Sequence, residues 1–225
     1  MIATLQLSMN KNLFIRDPQE TELGKKIISQ SIQMIDVLGF ESFTFKKLAK
    51  NIESTEASIY RYFENKHRLL IYLIAWYWTW LEYTIDYKTQ NIDDAQKQLE
   101  IALRVVIEEK KQDPLFPEIN EVALQRIVIA ESDKTYLTKQ VDADNKEGLF
   151  RGYKSLCKQI AGFIEIINPA YEFPHAMSST VLEAAHQQIF FARHLPSLTE
   201  LSNADQNSSE KNFEFLHQLV QKTIK

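Results

Sequence analysis

The chain has 225 residues, of which 44% are hydrophobic, and its formal net charge is -4. This length can bury one substantial core or carry a small module joined to a larger one. Only five glycines and six prolines occur. Such a composition is typical of connected helices and disfavours a turn-rich β protein, so we predict an all-α fold.

Cysteine usage and hydropathy predict the compartment. The single cysteine, Cys157, cannot form an internal disulfide. The N-terminal segment has neither a basic start leading into an apolar run nor a small-residue cleavage site. The only long apolar run, residues 69–81, is too short to span a bilayer and has the length of a buried helix. We therefore expect a cytoplasmic protein with no membrane role.

The charge is distributed unevenly along the chain. Residues 44–70 hold six Lys or Arg against three Glu, whereas residues 91–225 hold fifteen against twenty. Because phosphate binding requires Lys and Arg, the basic segment permits a nucleic-acid partner that the net charge alone would disfavour. A basic head on an acidic body fits a DNA-reading module attached to a regulatory domain.

The first predicted elements are an arm and a helix. Residues 1–18 have no sustained period and end in Asp-Pro, so we expect an arm there. Apolar residues at helical spacing follow from Leu23, which predicts a first helix that starts near Thr21. Gly39 suits the left-handed position that ends a helix.

Two short helices are predicted next. Thr44 can cap a second helix whose Phe45, Leu48, Ala49 and Ile52 share one face, and Thr55 can cap a third whose Ile59, Tyr62 and Phe63 point inward. The outward face of the third helix would then carry small, aromatic and charged groups, namely Glu56, Ala57, Tyr60 and Arg61. These groups could enter a DNA groove without steric conflict.

The remaining pattern is helical. A long fourth helix is predicted from Lys66, after a cap at Asn65, with apolar residues almost all round. Further helices are predicted over 94–112, 117–132, 142–167, 175–195 and 209–224. The segment 201–210, rich in Ser and Asn, predicts a loop or flexible connector before the last helix.

Two short helices joined by a short turn, the second with a compact polar face, are the elements of a helix-turn-helix. The stretch TFKKLAKNIESTEASIYRYFENKHRLL resembles the DNA-binding head of tetracycline-repressor-like (TetR) regulators. Its most specific part is the run 59–63 followed by Asn65-Lys66 and Leu69-Leu70. Three positions depart from the family pattern. Glu53 and Ser54 stand where a glycine and a small apolar residue are usual, and Glu56 stands where relatives often carry a basic or amide group.

The resemblance implies roles for individual residues. Thr44, Tyr60 and Lys66 would contact phosphates, whereas Thr55, Glu56, Ala57 and Arg61 would face bases, and hydroxyl, ammonium and guanidinium groups suit these tasks. Glu56 could accept a hydrogen bond from cytosine N4 and so select C·G pairs. An ammonium at a helix N-terminus is electrostatically unfavourable, so a phosphate near Lys66 would explain its position. The alternative is that Tyr60, Tyr62 and Phe63 only pack the small head and that Lys66 is a solvated residue at a helix start.

The resemblance also predicts a homodimer that pairs through its last two helices, with Leu182, Ala185, Ile189, Phe213, Leu216 and Val220 as interface candidates. Packing inside the monomer would produce the same pattern. Trp76, Trp80 and Tyr83 fall at i, i+4 and i+7, where the family builds its effector cavity, although such a stripe is more often core. The effector remains unspecified.

The predicted protein therefore has residues 1–70 as a three-helix DNA-binding head and residues 71–225 as a larger helical effector-binding and dimerisation domain. Its expected partners are double-stranded operator DNA, a second copy and a small molecule that releases a repressor, with no cofactor. One alternative is a helical protein-interaction module without DNA reading. The other is a di-metal enzyme, because Glu-x-x-His occurs at 64/67, 183/186 and 214/217. No nucleophile motif occurs, so we expect no enzyme.

Overall fold

The computed structural model describes residues 5–202, 204, 205 and 207–225. This part of the chain contains helices and no strand, which confirms the predicted all-α fold. The α-helices are α1 (Glu22–Leu38), α2 (Phe45–Asn51), α3 (Glu56–Tyr60), α4 (Lys66–Thr89), α5 (Ala95–Ile107), α6 (Glu121–Glu131), α7 (Asp133–Tyr136), α8 (Val141–Lys146), α9 (Arg151–Ile167), α10 (Pro174–His194) and α11 (Ser208–Thr223). No helix among these residues is both long enough and apolar enough to cross a membrane.

The chain divides into two compact units. The first contains residues up to Trp78 together with Lys110–Gly152, and the second contains Thr79–Glu109 and Tyr153–Lys225. The predicted 1–70 head lies within the first unit, which also includes a segment that the prediction assigned to the effector-binding domain. The division of functions at residue 70 stays a prediction.

In the first unit, α1 has the predicted ends. The Thr21 hydroxyl accepts the backbone N–H of Gly24 at 3.0 Å and caps the helix. Gly39 follows with a φ of 75°, a left-handed value that glycine adopts without steric cost. The isoleucines at 27, 28, 32 and 35 are buried. The helical period of the sequence therefore identified the inward face correctly.

The N-terminal arm is attached to the first unit by hydrogen bonds. The backbone N–H of Leu5 donates to the Leu115 carbonyl at 3.0 Å, and the Asn10 amide donates to the Gly148 carbonyl at 2.8 Å. The Leu13 side chain is buried. Residues 1–4 of the predicted arm lie outside the described residues.

In the second unit, α5 contacts α11, and α10 contacts both of them. The Arg104 guanidinium on α5 bonds both carboxylate oxygens of Glu210, at 2.9 and 3.2 Å, and lies 3.7 Å from the Phe213 ring centroid. Five of the six predicted interface residues are buried inside this unit: Leu182, Ala185, Phe213, Leu216 and Val220. Their apolar pattern therefore reflects the core of the subunit.

Several predicted boundaries differ from the structure. Helix α5 ends at Ile107, before the predicted end at 112, and α6 begins at Glu121, after the predicted start at 117. The predicted helix 142–167 is two helices, because Gly148 has a φ of 77° and ends α8 before α9 begins at Arg151. The last helix begins at Ser208, inside the predicted loop 201–210. Two residues of that loop, 203 and 206, lie outside the described residues.

Candidate nucleic-acid interface

Helix α3 exposes the face that the sequence predicted. Thr55, Glu56, Ala57 and Arg61 are exposed, and Tyr60 keeps 48% of its surface in solvent. Ile59, Tyr62 and Phe63 are buried on the other side. A short helix with this division can present its polar side to a partner while the apolar side anchors it to the head.

Threonine caps fix both short helices. The Thr44 hydroxyl accepts the backbone N–H of Lys47 at 3.2 Å, and the Thr55 hydroxyl accepts that of Ser58 at the same distance. Both capping residues are also exposed. Tyr60 lies edge-on to Phe45, with ring centroids 5.1 Å apart, so α2 fixes the position of this side chain on α3.

Before the turn to α3, helix α2 ends in a conformation that usually requires glycine, although no glycine is present there. Glu53 has a φ of 55°. The backbone N–H of Ser54 donates to the Ala49 carbonyl at 2.9 Å, and that of Glu53 to the Lys50 carbonyl at 3.4 Å. This pair of bonds is a Schellman motif, which normally has glycine at the left-handed position. The departure at Glu53 therefore leaves the geometry intact and strains one residue.

The exposed cations near α3 form a basic surface. Lys46, Lys50 and Arg61 are exposed, and their charged groups form no ion pair or hydrogen bond with other residues that the structure describes. Lys47 donates to the Ser42 carbonyl at 2.7 Å. These lysines contribute to the positive charge of residues 44–70 but are not among the predicted site residues.

A family model described as "Bacterial regulatory proteins, tetR family" matches residues 27–73. Over these residues the head is similar to that family. The match includes α2, the turn at Glu53, α3 and the first residues of α4, and it confirms the resemblance that the sequence motif carried. A comparison with curated proteins found no match.

Solved structures are similar in fold to most of this chain. The fatty acid degradation regulator FadR from Bacillus halodurans is 17% identical, with 87% of this chain and 96% of that one covered and a TM-score of 0.58. AibR in complex with isovaleryl coenzyme A and operator DNA is 14% identical, with 86% and 95% covered and a TM-score of 0.53. A ketosteroid transcriptional regulator of Mycobacterium tuberculosis is 11% identical, with 100% of both chains covered and a TM-score of 0.56.

Lys66 has hydrogen-bond partners within the protein. Its ammonium donates to the carbonyls of Phe40, Glu41 and Phe43 at 3.1, 3.2 and 3.3 Å and lies 4.6 Å from the Phe40 ring centroid. An ammonium has three N–H donors, so these acceptors explain its position without a phosphate. The predicted phosphate contact of Lys66 stays a prediction.

The predicted effector residues lie in different surroundings. Trp76 is buried and lines a cavity of about 50 Å³ in the first unit, with Tyr72 and Phe116 among its neighbours. Tyr83 lines a cleft of about 570 Å³ in the second unit. Trp80 is buried and lines neither space. An effector pocket that involves all three stays a prediction.

Metal-ligating groups do not cluster in the described part of the chain: no three His, Cys, Asp or Glu side chains there are arranged to hold an ion. At two of the Glu-x-x-His pairs, other partners are present. Glu183 accepts the Tyr153 hydroxyl at 2.6 Å, and His67 lies 3.6 Å from Asp144.

Proposed function

We propose that this chain is a dimeric transcription regulator that reads operator DNA with the exposed face of α3 and releases it when a small molecule binds. The observation that carries the proposal is the exposed Arg61 beside the polar groups of α3, in a head similar to the tetR family. Its guanidinium has no ion-pair partner among the residues that the structure describes. A guanidinium can bond the O6 and N7 atoms of guanine at once. Lys46 and Lys50 add positive charge for the phosphates.

The proposed division of labour follows from chemistry. Base edges would be faced by Thr55, Glu56, Ala57 and Arg61. The DNA phosphate backbone would be contacted by Thr44, Tyr60 and Lys66. Glu56 is exposed, so its carboxylate can accept a hydrogen bond from cytosine N4 while repelling phosphates. We therefore expect an operator in which C·G pairs contribute to affinity. We also expect Glu56 to lower the affinity for unrelated sequences.

The direct experiment is selection from sheared genomic DNA of the source organism, with the recovered fragments sequenced. Wild type should enrich one palindromic site. Arg61→Ala should bind that site about 5- to 100-fold more weakly and tolerate changes at one base pair, as expected for loss of a base contact. Arg193→Ala on α10 removes the same charge from an exposed residue of the second unit and should bind like wild type. Equal binding by the two variants would contradict the assignment of Arg61.

Dimerisation requires an apolar surface that one subunit leaves exposed. On α11, Phe215 and Leu219 are 51% and 37% exposed and lie at i and i+4. These residues, rather than the buried set that the sequence suggested, support an interface on this helix. Two heads about 34 Å apart could then meet successive half-sites on one side of the duplex.

Sedimentation equilibrium tests this interface. Phe215→Arg should shift the wild-type dimer toward monomer, because a charge would be buried at the contact. Phe173→Arg changes another exposed aromatic residue, one that precedes α10, and should leave the dimer intact. If neither substitution changes the mass, α11 is not the interface.

The cleft in the second unit supports the effector part of the proposal. Tyr83 and Tyr87 stack with ring centroids 6.5 Å apart, and the Gln159 amide donates to Asp86 at 2.5 Å beside them. Aromatic faces with a few polar groups suit a small organic ligand. The fold is compatible with such control, since AibR was solved with isovaleryl coenzyme A and operator DNA. A ligand that stabilises the protein thermally without changing operator affinity would contradict release.

A further inference from the structure

The N-terminal arm places a cation beside α3. The backbone N–H of Ile15 donates to the Tyr62 carbonyl at 2.8 Å, and the Arg16 guanidinium carbon lies 5.6 Å from the centre of the Tyr62 ring. Tyr62 belongs to the turn that directly follows α3. The arm therefore holds Arg16 at the C-terminal end of this helix.

Several contacts fix this part of the arm. Leu13 is buried at 1% exposure, and the Phe14 ring lies edge-on to Tyr72, with centroids 6.2 Å apart. On the other side of Arg16, the Asp17 carboxylate accepts the backbone N–H of Gln19 at 2.8 Å. A guanidinium between two anchored neighbours and over an aromatic ring loses little further conformational freedom when it binds.

Arg16 has no carboxylate partner among the described residues. It is exposed and forms no ion pair there, in contrast to Arg68, which lies 2.8 Å from Glu147, and Arg126, which lies 2.6 Å from Asp36. A guanidinium without an acidic partner presents its full charge and its planar set of donors to solvent. Phosphate is an anion that this group binds with two parallel hydrogen bonds.

From this geometry we infer that Arg16 contacts the DNA phosphate backbone at the edge of the groove that α3 enters. The inference rests on the proposed function. Helix α3 has five residues and is about 7.5 Å long, whereas the major groove is about 12 Å wide. Groups just beyond the ends of such a helix therefore reach the flanking phosphates. The arm adds a contact that strengthens binding and does not read sequence.

A charge series at Arg16 tests this contact. Arg16→Gln should lower affinity about 3- to 10-fold for operator and unrelated duplexes alike, and reduce the slope of log K against log salt by about 1. Arg16→Lys should retain most of the slope, and Arg16→Glu should bind more weakly than Arg16→Gln. The control is Lys11→Gln, which removes an exposed arm cation that the structure does not hold against α3.

Two results would overturn the inference in distinguishable ways. If wild type binds its operator and the slope is the same across the Arg16 series, the arm contact is wrong while the proposed function stands. If wild type binds no duplex even at low salt, both fail. A stoichiometric titration of each variant with excess operator measures the fraction of folded protein that binds. Loss of folded protein therefore cannot imitate a change in slope.

Discussion

The Glu131 carboxylate accepts the backbone N–H of Phe40 at 3.0 Å, in a buried position that joins residues 91 apart in sequence. Phe40 begins the link between α1 and α2, and Glu131 is the last residue of α6. Together with Lys66, which bonds three carbonyls of the same link, Glu131 satisfies backbone groups that a short link cannot pair internally. Charged groups from α4 and α6 therefore define the path of the chain into the helix-turn-helix.

Removing the Glu131 carboxylate should destabilise the first unit. Glu131→Ala leaves the Phe40 N–H buried without an acceptor and should cost about 1–3 kcal/mol of unfolding free energy. Glu131→Gln keeps an acceptor oxygen and should cost less, although it loses the ion pair with Lys134 at 2.7 Å. Urea unfolding of both variants measures the difference. Equal losses would mean that the ion pair, and not the hydrogen bond to Phe40, matters.

Replacing Glu53 with glycine should relieve backbone strain. At a φ of 55° a residue with a Cβ pays about 1–2 kcal/mol, which the greater chain entropy of unfolded glycine partly offsets. Glu53→Gly should therefore raise the melting temperature, whereas Glu53→Ala removes the same carboxylate and keeps the strain. A glycine variant that melts below the alanine variant would contradict the account of this turn.

Substitutions at Lys66 and Arg61 should differ in their effect on stability. Lys66→Ala leaves three carbonyls without their donor and should lower the free energy of unfolding by roughly 1–3 kcal/mol. The melting temperature should fall accordingly. Arg61→Ala removes an exposed side chain that has no ion-pair partner in the described part of the chain and should leave stability within about 0.5 kcal/mol of wild type while weakening operator binding. Differential scanning calorimetry and fluorescence anisotropy on the same preparations test both. A fully stable Lys66→Ala would show that its carbonyl contacts contribute little.

Glu121 should make stability depend on pH. Its side chain is fully buried, and one carboxylate oxygen accepts the Asp113 backbone N–H at 3.2 Å. Burial raises the pKa of this carboxyl from 4.5 to about 7. The folded state therefore keeps a proton that the unfolded state loses, so the contribution of Glu121 is complete below pH 4.5 and is lost as pH rises to about 7.

Glu121→Gln should remove this dependence. Relative to wild type, the variant should gain stability as pH rises from about 5 to 8, by roughly 1–3 kcal/mol. Glu109→Gln neutralises an exposed glutamate and provides the control. Urea midpoints at several pH values measure the effect. A difference between Glu121→Gln and wild type that stays constant with pH would contradict the raised pKa.

Local features of the fold could be predicted from the sequence, and long-range ones could not. The caps at Thr21, Thr44 and Thr55 and the buried face of α3 follow from residue type and helical spacing. The partners of Lys66 and Glu131 depend on segments distant in sequence, which periodicity does not reveal. The break at Gly148 was missed because the helical pattern on both sides continues through it. Core faces and interface faces look alike in sequence. This explains why most of the residues predicted for the dimer interface on α10 and α11 are buried within the subunit instead.

A regulator of this kind must distinguish one DNA sequence from others. The most direct measurement compares, at about 0.15 M salt, the affinity of wild type for its selected palindrome with that for a duplex of equal length and scrambled sequence. We expect a ratio of about 1,000 or more, with affinity for both duplexes falling as salt rises. Equal affinity for the two duplexes would show binding by charge alone and would contradict sequence-specific recognition by α3.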